Sequence, residues 1–251
     1  MTRFAARLIG LSILLSVVVN NPVLVSGIAD QAKTTLTGVF ATVRGGQPVA
    51  VERAPVQSFA GEVRFSATHA GKPVIWNTCS IVPVLVNPGS TGEKGLNVVK
   101  RAVAKLRDVT GVRFVVTGTS DVVPTTDWYR LGGTDGADGF APVIVAFVDR
   151  DATDMLAKNA VGSAVANPTG SGHDRRLVTG AVVIAEDALD DLESGFKSGA
   201  SVGGVLLHEL GHLAGLDHAP HGLMGTNLDE EINPSYSVAI KGAFKPLRPV
   251  C

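Results

Sequence analysis

Apolar positions recur along this chain in two periods. Between Glu93 and Asp108 they fall at helical spacing: Leu96, Val99, Val103 and Leu106 share one face, while Lys100, Arg101, Lys105 and Arg107 lie mostly off it. Gly111 follows as a stop signal. The pattern predicts one long amphipathic helix whose charges form a solvated face. Short strand-like runs flank it, Val74–Trp76 and Ile81–Val86 before, then Val112–Thr117, Val143–Val148 and Val178–Ala185 after. A final helix is expected around Leu206, Leu210 and Leu213. The order strand, helix, three strands, helix predicts an α/β (α+β) domain, a mixed sheet with helices packed on it.

The first 29 residues follow a different pattern. Arg3 and Arg7 precede an apolar run, Leu8–Val19, which Asn20, Asn21 and Pro22 break. Gly27 and Ala29 are small residues suited to cleavage before Asp30, so 1–29 reads as a signal peptide. The run is short for a bilayer-spanning helix of about 20 residues, and an uncleaved membrane anchor is the alternative. Residues 30–70 carry only short alternating pieces such as Gly38–Arg44 and Glu62–Ser66 and read as a propeptide or leader, leaving 71–251 as the folded domain. A secreted protein is therefore expected. Its two cysteines, Cys79 and Cys251, can form one intramolecular bridge in that compartment, adding about 5 kcal/mol at most; two unrelated thiols are the alternative.

Composition narrows the partners. The 251 residues are 45% hydrophobic and 18% charged, enough for a real core, and the net charge of −1 offers no basic surface for nucleic acid. Membrane contact is expected only through an uncleaved signal sequence. Two polar loops interrupt the strands. The first, Gly118–Ala141, contains Gly132-Gly133-Thr134-Asp135-Gly136-Ala137-Asp138-Gly139, whose oxygens could wrap Ca2+, although Asp-Gly pairs are also ordinary turn formers. The second, Asn167–Arg176, contains His173-Asp174, a pair too small to define a metal site.

The chemistry sits in the final helix: His208-Glu209-Leu210-Gly211-His212-Leu213-Ala214-Gly215-Leu216-Asp217-His218. Residues four apart share a helix face, so His208 and His212 can present two imidazoles to one ion, while Leu206, Leu210 and Leu213 face the core. Gly215, lacking Cβ, can end the helix and turn the chain so that His218 returns as a third ligand. Three neutral imidazoles suit one catalytic Zn2+ and leave a fourth position for water. Glu209 points away from that ligand set but can serve as a general base. From the chain's own composition this pattern arises by chance with probability on the order of 10⁻⁵.

This motif, followed by Gly222-Leu223-Met224-Gly225, resembles the metzincin zinc metallopeptidases and within them the matrixin-like, secreted bacterial type. The specific resemblance spans about residues 205–226. It implies His208, His212 and His218 as zinc ligands, Glu209 as catalytic base and later proton donor, and Met224 as a structural Met-turn beneath them. It also implies a metzincin-like twisted mixed sheet with an active-site helix and a long helix packed on it, a short C-terminal subdomain, and Val178–Ala185 as the cleft-edge strand for an extended peptide. Departures are visible. His218 to Met224 is only six residues, no tyrosine lies within two residues of Met224, and no propeptide cysteine exists to cap the metal. Phe59-Ala60-Gly61-Glu62 faintly resembles the aspartate switch of astacin propeptides, an ordinary turn being simpler.

Glu230, 18 residues after His212, has the spacing of a thermolysin-type third ligand. It precedes Asn233-Pro234, a plausible N-cap and first helical residue, and choosing it leaves Gly215 and His218 unexplained. His221 reads as a surface imidazole. The function expected is a secreted zinc metalloendopeptidase. The alternative is a non-catalytic zinc-containing binding module of the same fold, against which the intact Glu209 argues.

Overall fold

The computed structural model of the chain describes residues 63–128, 140–226 and 233–247. At its centre runs β5 (Val143–Val148), six apolar residues in a row, every one buried. Such an unbroken run belongs to a strand with both faces covered and parallel neighbours. β3 (Ile81–Asn87) and β7 (Arg176–Ala185) flank it in parallel, and β4 (Arg113–Thr119) lies parallel beyond β3. β6 (Gly162–Thr169) runs antiparallel to β7, so the order across the sheet is β4-β3-β5-β7-β6. A two-residue hairpin, β1 (Thr68–His69) with β2 (Lys72–Pro73), stands apart from it. This is the mixed sheet with packed helices that the element order predicts.

α1 (Gly92–Thr110) packs on β3 and β4. Val99, Val103 and Leu106 are buried as their spacing requires, Val98, Ala102 and Val109 widen the face, and Leu96 is only partly covered. Lys100, Arg101, Lys105 and Arg107 are exposed, as expected of a solvated face. The helix ends where Gly111 turns to a φ of 77° and donates its N–H to the Arg107 carbonyl. α2 (Val202–Leu213) lies against β6, β7 and α1, its first turn capped by the Ser201 hydroxyl accepting from Gly204 N–H. α3 (Val238–Phe244) packs on α1. Among the described residues, no helix is long and apolar enough to cross a membrane.

Several expectations change. Residues 162–169 form a strand, β6, whose last three residues, Asn167–Thr169, fall in the expected polar loop and whose first five carry no strand expectation. Its sequence, Gly-Ser-Ala-Val-Ala-Asn-Pro-Thr, has few strand formers and includes a proline, which only an edge strand or a bulge tolerates. The register shifts at Asn167/Pro168, in accord with that rule. β6 therefore takes the edge, and β7, which contains Val178–Ala185, is paired on both sides and cannot be the cleft-edge strand. Asn233 is not the cap of α3: Ser237 is, its hydroxyl accepting from Ile240 N–H at 3.2 Å. Residues 63–70 are not loose leader, since Val63, Phe65 and Ala67 are buried in the core. The expected signal peptide, residues 30–62 with Glu62, the Gly132–Gly139 loop, Glu230 and Cys251 lie outside the described residues.

Val74–Trp76 is no regular strand either; only Trp76 bridges, in parallel, to Leu177. The Trp76 indole instead turns inward, edge-on to Phe114, and its Nε1–H donates to the Leu213 carbonyl at 2.7 Å. It thus satisfies a carbonyl at the open end of α2 in a buried site. Trp76→Phe would keep an apolar ring but orphan that carbonyl. A loss of about 2–3 kcal/mol in unfolding free energy is expected in denaturant titration, and an unchanged midpoint would refute this anchoring role.

Candidate metal centre

α2 places His208 and His212 one turn apart, ring centroids 4.7 Å from each other and nearly perpendicular. Their Nε2 atoms approach to 3.1 Å. His218, beyond the helix end, brings its ring to 4.7 Å from His212 and 5.4 Å from His208. One ligand nitrogen from each of the three lies within 4.8 Å of the others, the only such group of three among the described residues. Two nitrogens tetrahedrally bound to one zinc at about 2.0–2.1 Å would stand roughly 3.3 Å apart, close to the spacing observed.

The rings are oriented by backbone carbonyls. His208 Nδ1–H donates to Leu223 O at 2.7 Å, and His212 Nδ1–H donates to Leu216 O at 2.9 Å. Each bond fixes the tautomer that leaves Nε2 with a free lone pair. His218 Nε2 is buried without a hydrogen-bond partner. Burial lowers all three imidazole pKa values, His208 well below the ordinary range and His212 to about 4, with neighbouring imidazoles adding to the effect at both. At His218 burial dominates and Asp217 opposes it. Three neutral nitrogen donors converging with no proton to share are what a divalent cation requires.

Two more elements shape this floor. The helix stops at Leu213 and Gly215 takes a φ of 99°, which sends the chain back toward His208 and His212. The segment after His218 then folds under α2, with Ala219 N–H donating to Met224 O. Met224 is buried with its sulfur against the α-carbon of Gly211, where a side chain would collide with it. Met224 thus supports the helix between its two histidines. His221 lies exposed outside the triad, and His173 is exposed on a hairpin tip, edge-on to His69 at 6.1 Å. Cys79 is disulfide-bonded.

Glu209 is fully buried, and neither carboxyl oxygen has a hydrogen-bond partner among the described residues. Burial pushes its pKa up to about 8. The helix is therefore less two-faced than its sequence pattern implies: β6 covers the side that carries Glu209. A carboxyl buried without a partner costs stability. Sequence reasoning missed two neighbours. Gly162, at the start of β6, lies so close that a Cβ there would sit 2.9 Å from Glu209 Cγ and Oε1. The buried Tyr236 donates its hydroxyl to Leu207 O at 2.7 Å, gripping the helix one residue before His208. Neither carries a motif, since each contact joins elements far apart in sequence.

No family model matches the chain, and no curated protein does. Among solved structures, one that matches is metalloproteinase-II from Bacteroides fragilis, 15% identical with a TM-score of 0.39. The match covers 70% of this chain and 55% of that one, so the chain spans about half the length of this neighbour. A superposition that distant assigns no residue a role. The histidine geometry stands by itself.

Gly162→Ala is expected to reduce stability by about 1–3 kcal/mol through overpacking against the carboxyl. In a Glu209→Ala background most of that loss should vanish, since the added methyl then has room. A double-mutant cycle on thermal or chemical unfolding checks this, and equal losses in both backgrounds would show that the two residues do not touch.

Proposed function

We propose that this chain is a secreted, monomeric zinc endopeptidase of the matrixin-like metzincin type, cleaving protein or peptide substrates. The observation that carries this reading is the meeting of His218 with His208 and His212 beside a buried, unpaired Glu209. A binding site alone has no use for that carboxyl. His208, His212 and His218 would hold the ion, and zinc so bound supplies the Lewis acidity that makes water nucleophilic near neutral pH. In its ionised form Glu209 takes a proton from the attacking water and returns it to the nitrogen of the departing amine, and burial raises the pH at which that form prevails. Its enclosure against Gly162 holds it in one position and keeps bulk water from competing for the proton.

Substrate placement follows from the sheet. Among the described residues β6 is an edge, so its outer backbone N–H and C=O groups would take an extended peptide as a further strand. α2 packs directly on β6, so a peptide along this edge runs beside the helix that carries His208 and His212.

The test combines metal analysis with cleavage mapping on denatured casein. His218→Ala should weaken zinc binding by about 100-fold or more. Glu209→Ala should retain one zinc per chain while proteolysis falls by about a thousandfold or more. A chelator should abolish cleavage and added zinc restore it. Stoichiometric zinc in a wild-type protein that cleaves nothing would instead identify a binding module.

A further inference from the structure

The turn that delivers His218 is held from outside the motif. Phe65 bridges antiparallel to Leu216, and the flanking backbone groups complete the pairing. Ser66 N–H donates to Gly215 O at 2.9 Å, the Ser66 hydroxyl donates to the same carbonyl at 3.1 Å, and Asp217 N–H donates to Arg64 O at 2.9 Å. On its other side the turn belongs to α2: Gly215 N–H donates to His212 O, Leu216 N–H to Gly211 O, and Leu216 O accepts from the His212 ring. Residues 215–217 are therefore clamped between the metal helix and residues 64–66. Without the second jaw, Gly215 O and Asp217 N–H lose their protein partners. The residue that follows them is His218.

The jaw is itself anchored. Val63, Phe65 and Ala67 alternate inward and are buried, while Arg64 is exposed. The Phe65 ring packs edge-on against Phe244 of α3 at 5.5 Å, and Ala67 O accepts from Val74 N–H. One short extended segment thus joins α3, the β1–β2 region and the third-ligand turn. From this we infer that residues 63–67 form a strap that is part of the metal centre, positioning His218 so that metal affinity depends on the strap being paired. The inference rests on the metal-binding half of the proposed function and is independent of whether the protein cleaves peptides. It also sets a limit on processing: removal of preceding chain that reaches past Arg64 would dismantle the centre.

The linkage is reciprocal, because whatever the strap adds to metal affinity the metal returns to the strap. Two measurements on the full chain use this. First, zinc affinity by chelator competition and the cobalt(II) absorption spectrum are compared across substitutions at Ser66. Ser66→Pro, which removes both donors to Gly215 O, should weaken zinc about 10–100-fold and alter the cobalt bands. Ser66→Ala should weaken it about 2–10-fold, and Ser66→Thr should match wild type. Val103→Ala, a core truncation in α1, should lower the melting temperature but leave affinity within about twofold, which separates positioning from general destabilisation.

Second, tryptic cleavage after Arg64, followed by mass spectrometry, should slow on adding zinc in the wild type and not in His218→Ala. A folded Ser66→Pro variant with wild-type affinity and cobalt spectrum would overturn the strap. If Ser66→Pro does not fold, Ser66→Ala and the cleavage rate decide, and a rate after Arg64 that ignores zinc overturns it equally. Failure of wild-type protein to bind zinc overturns both this inference and the proposed function, whereas absence of proteolysis touches only the latter.

Discussion

Three neutral imidazole nitrogens must be held at one point with their lone pairs facing inward, and most of the architecture around α2 serves that constraint. Left alone, such an arrangement is unfavourable: each nitrogen is withdrawn from water, and none can hydrogen-bond another without a proton. The fold overdetermines it from several directions. Leu223 O and Leu216 O orient two rings, Met224 supports the helix at Gly211, and Tyr236 and Trp76 grip carbonyls at Leu207 and Leu213. The motif residues provide the donors. Elements distant in sequence hold them still.

The same reasoning applies to Glu209. A carboxyl buried without a partner lowers stability, and its pKa near 8 is the electrostatic expression of that burial. The enclosing surface is β6, a strand of small residues beginning at a glycine that has no side chain to spare. Its composition makes it a poor strand by propensity and a good lid by shape. The proline near its far end has no N–H to give to a ladder, a loss that an edge strand or a bulge tolerates.

Some of the structure was legible from residues alone. The long helix, its Gly111 stop and the strand at Val143–Val148 follow from periodicity and from an apolar run, both local properties that burial on a sheet then reinforces. The spacing of His208, His212 and His218 identified the cluster because a helix repeats every 3.6 residues and a glycine allows a turn. The burial of Val63, Phe65 and Ala67, the irregular backbone of Val74–Trp76 and the interior place of Val178–Ala185 are not legible in the sequence for one reason. Each depends on what the segment packs against. Val63, Phe65 and Ala67 alternate as a strand should, yet three inward residues in a polar neighbourhood carry little weight until Leu216 and Phe244 stand opposite them.

Sequence by itself determined the three histidines that meet and the helix that bears two of them, because these depend on residue type and on spacing within one short element. Only the tertiary structure decided that β6 closes over Glu209, that β7 is interior, and that residues 64–66 pair with the turn before His218. Those outcomes arise from pairings between segments up to about 150 residues apart, such as Ser66 with Gly215. Their energy comes from burying both partners together, and a linear pattern records each partner singly.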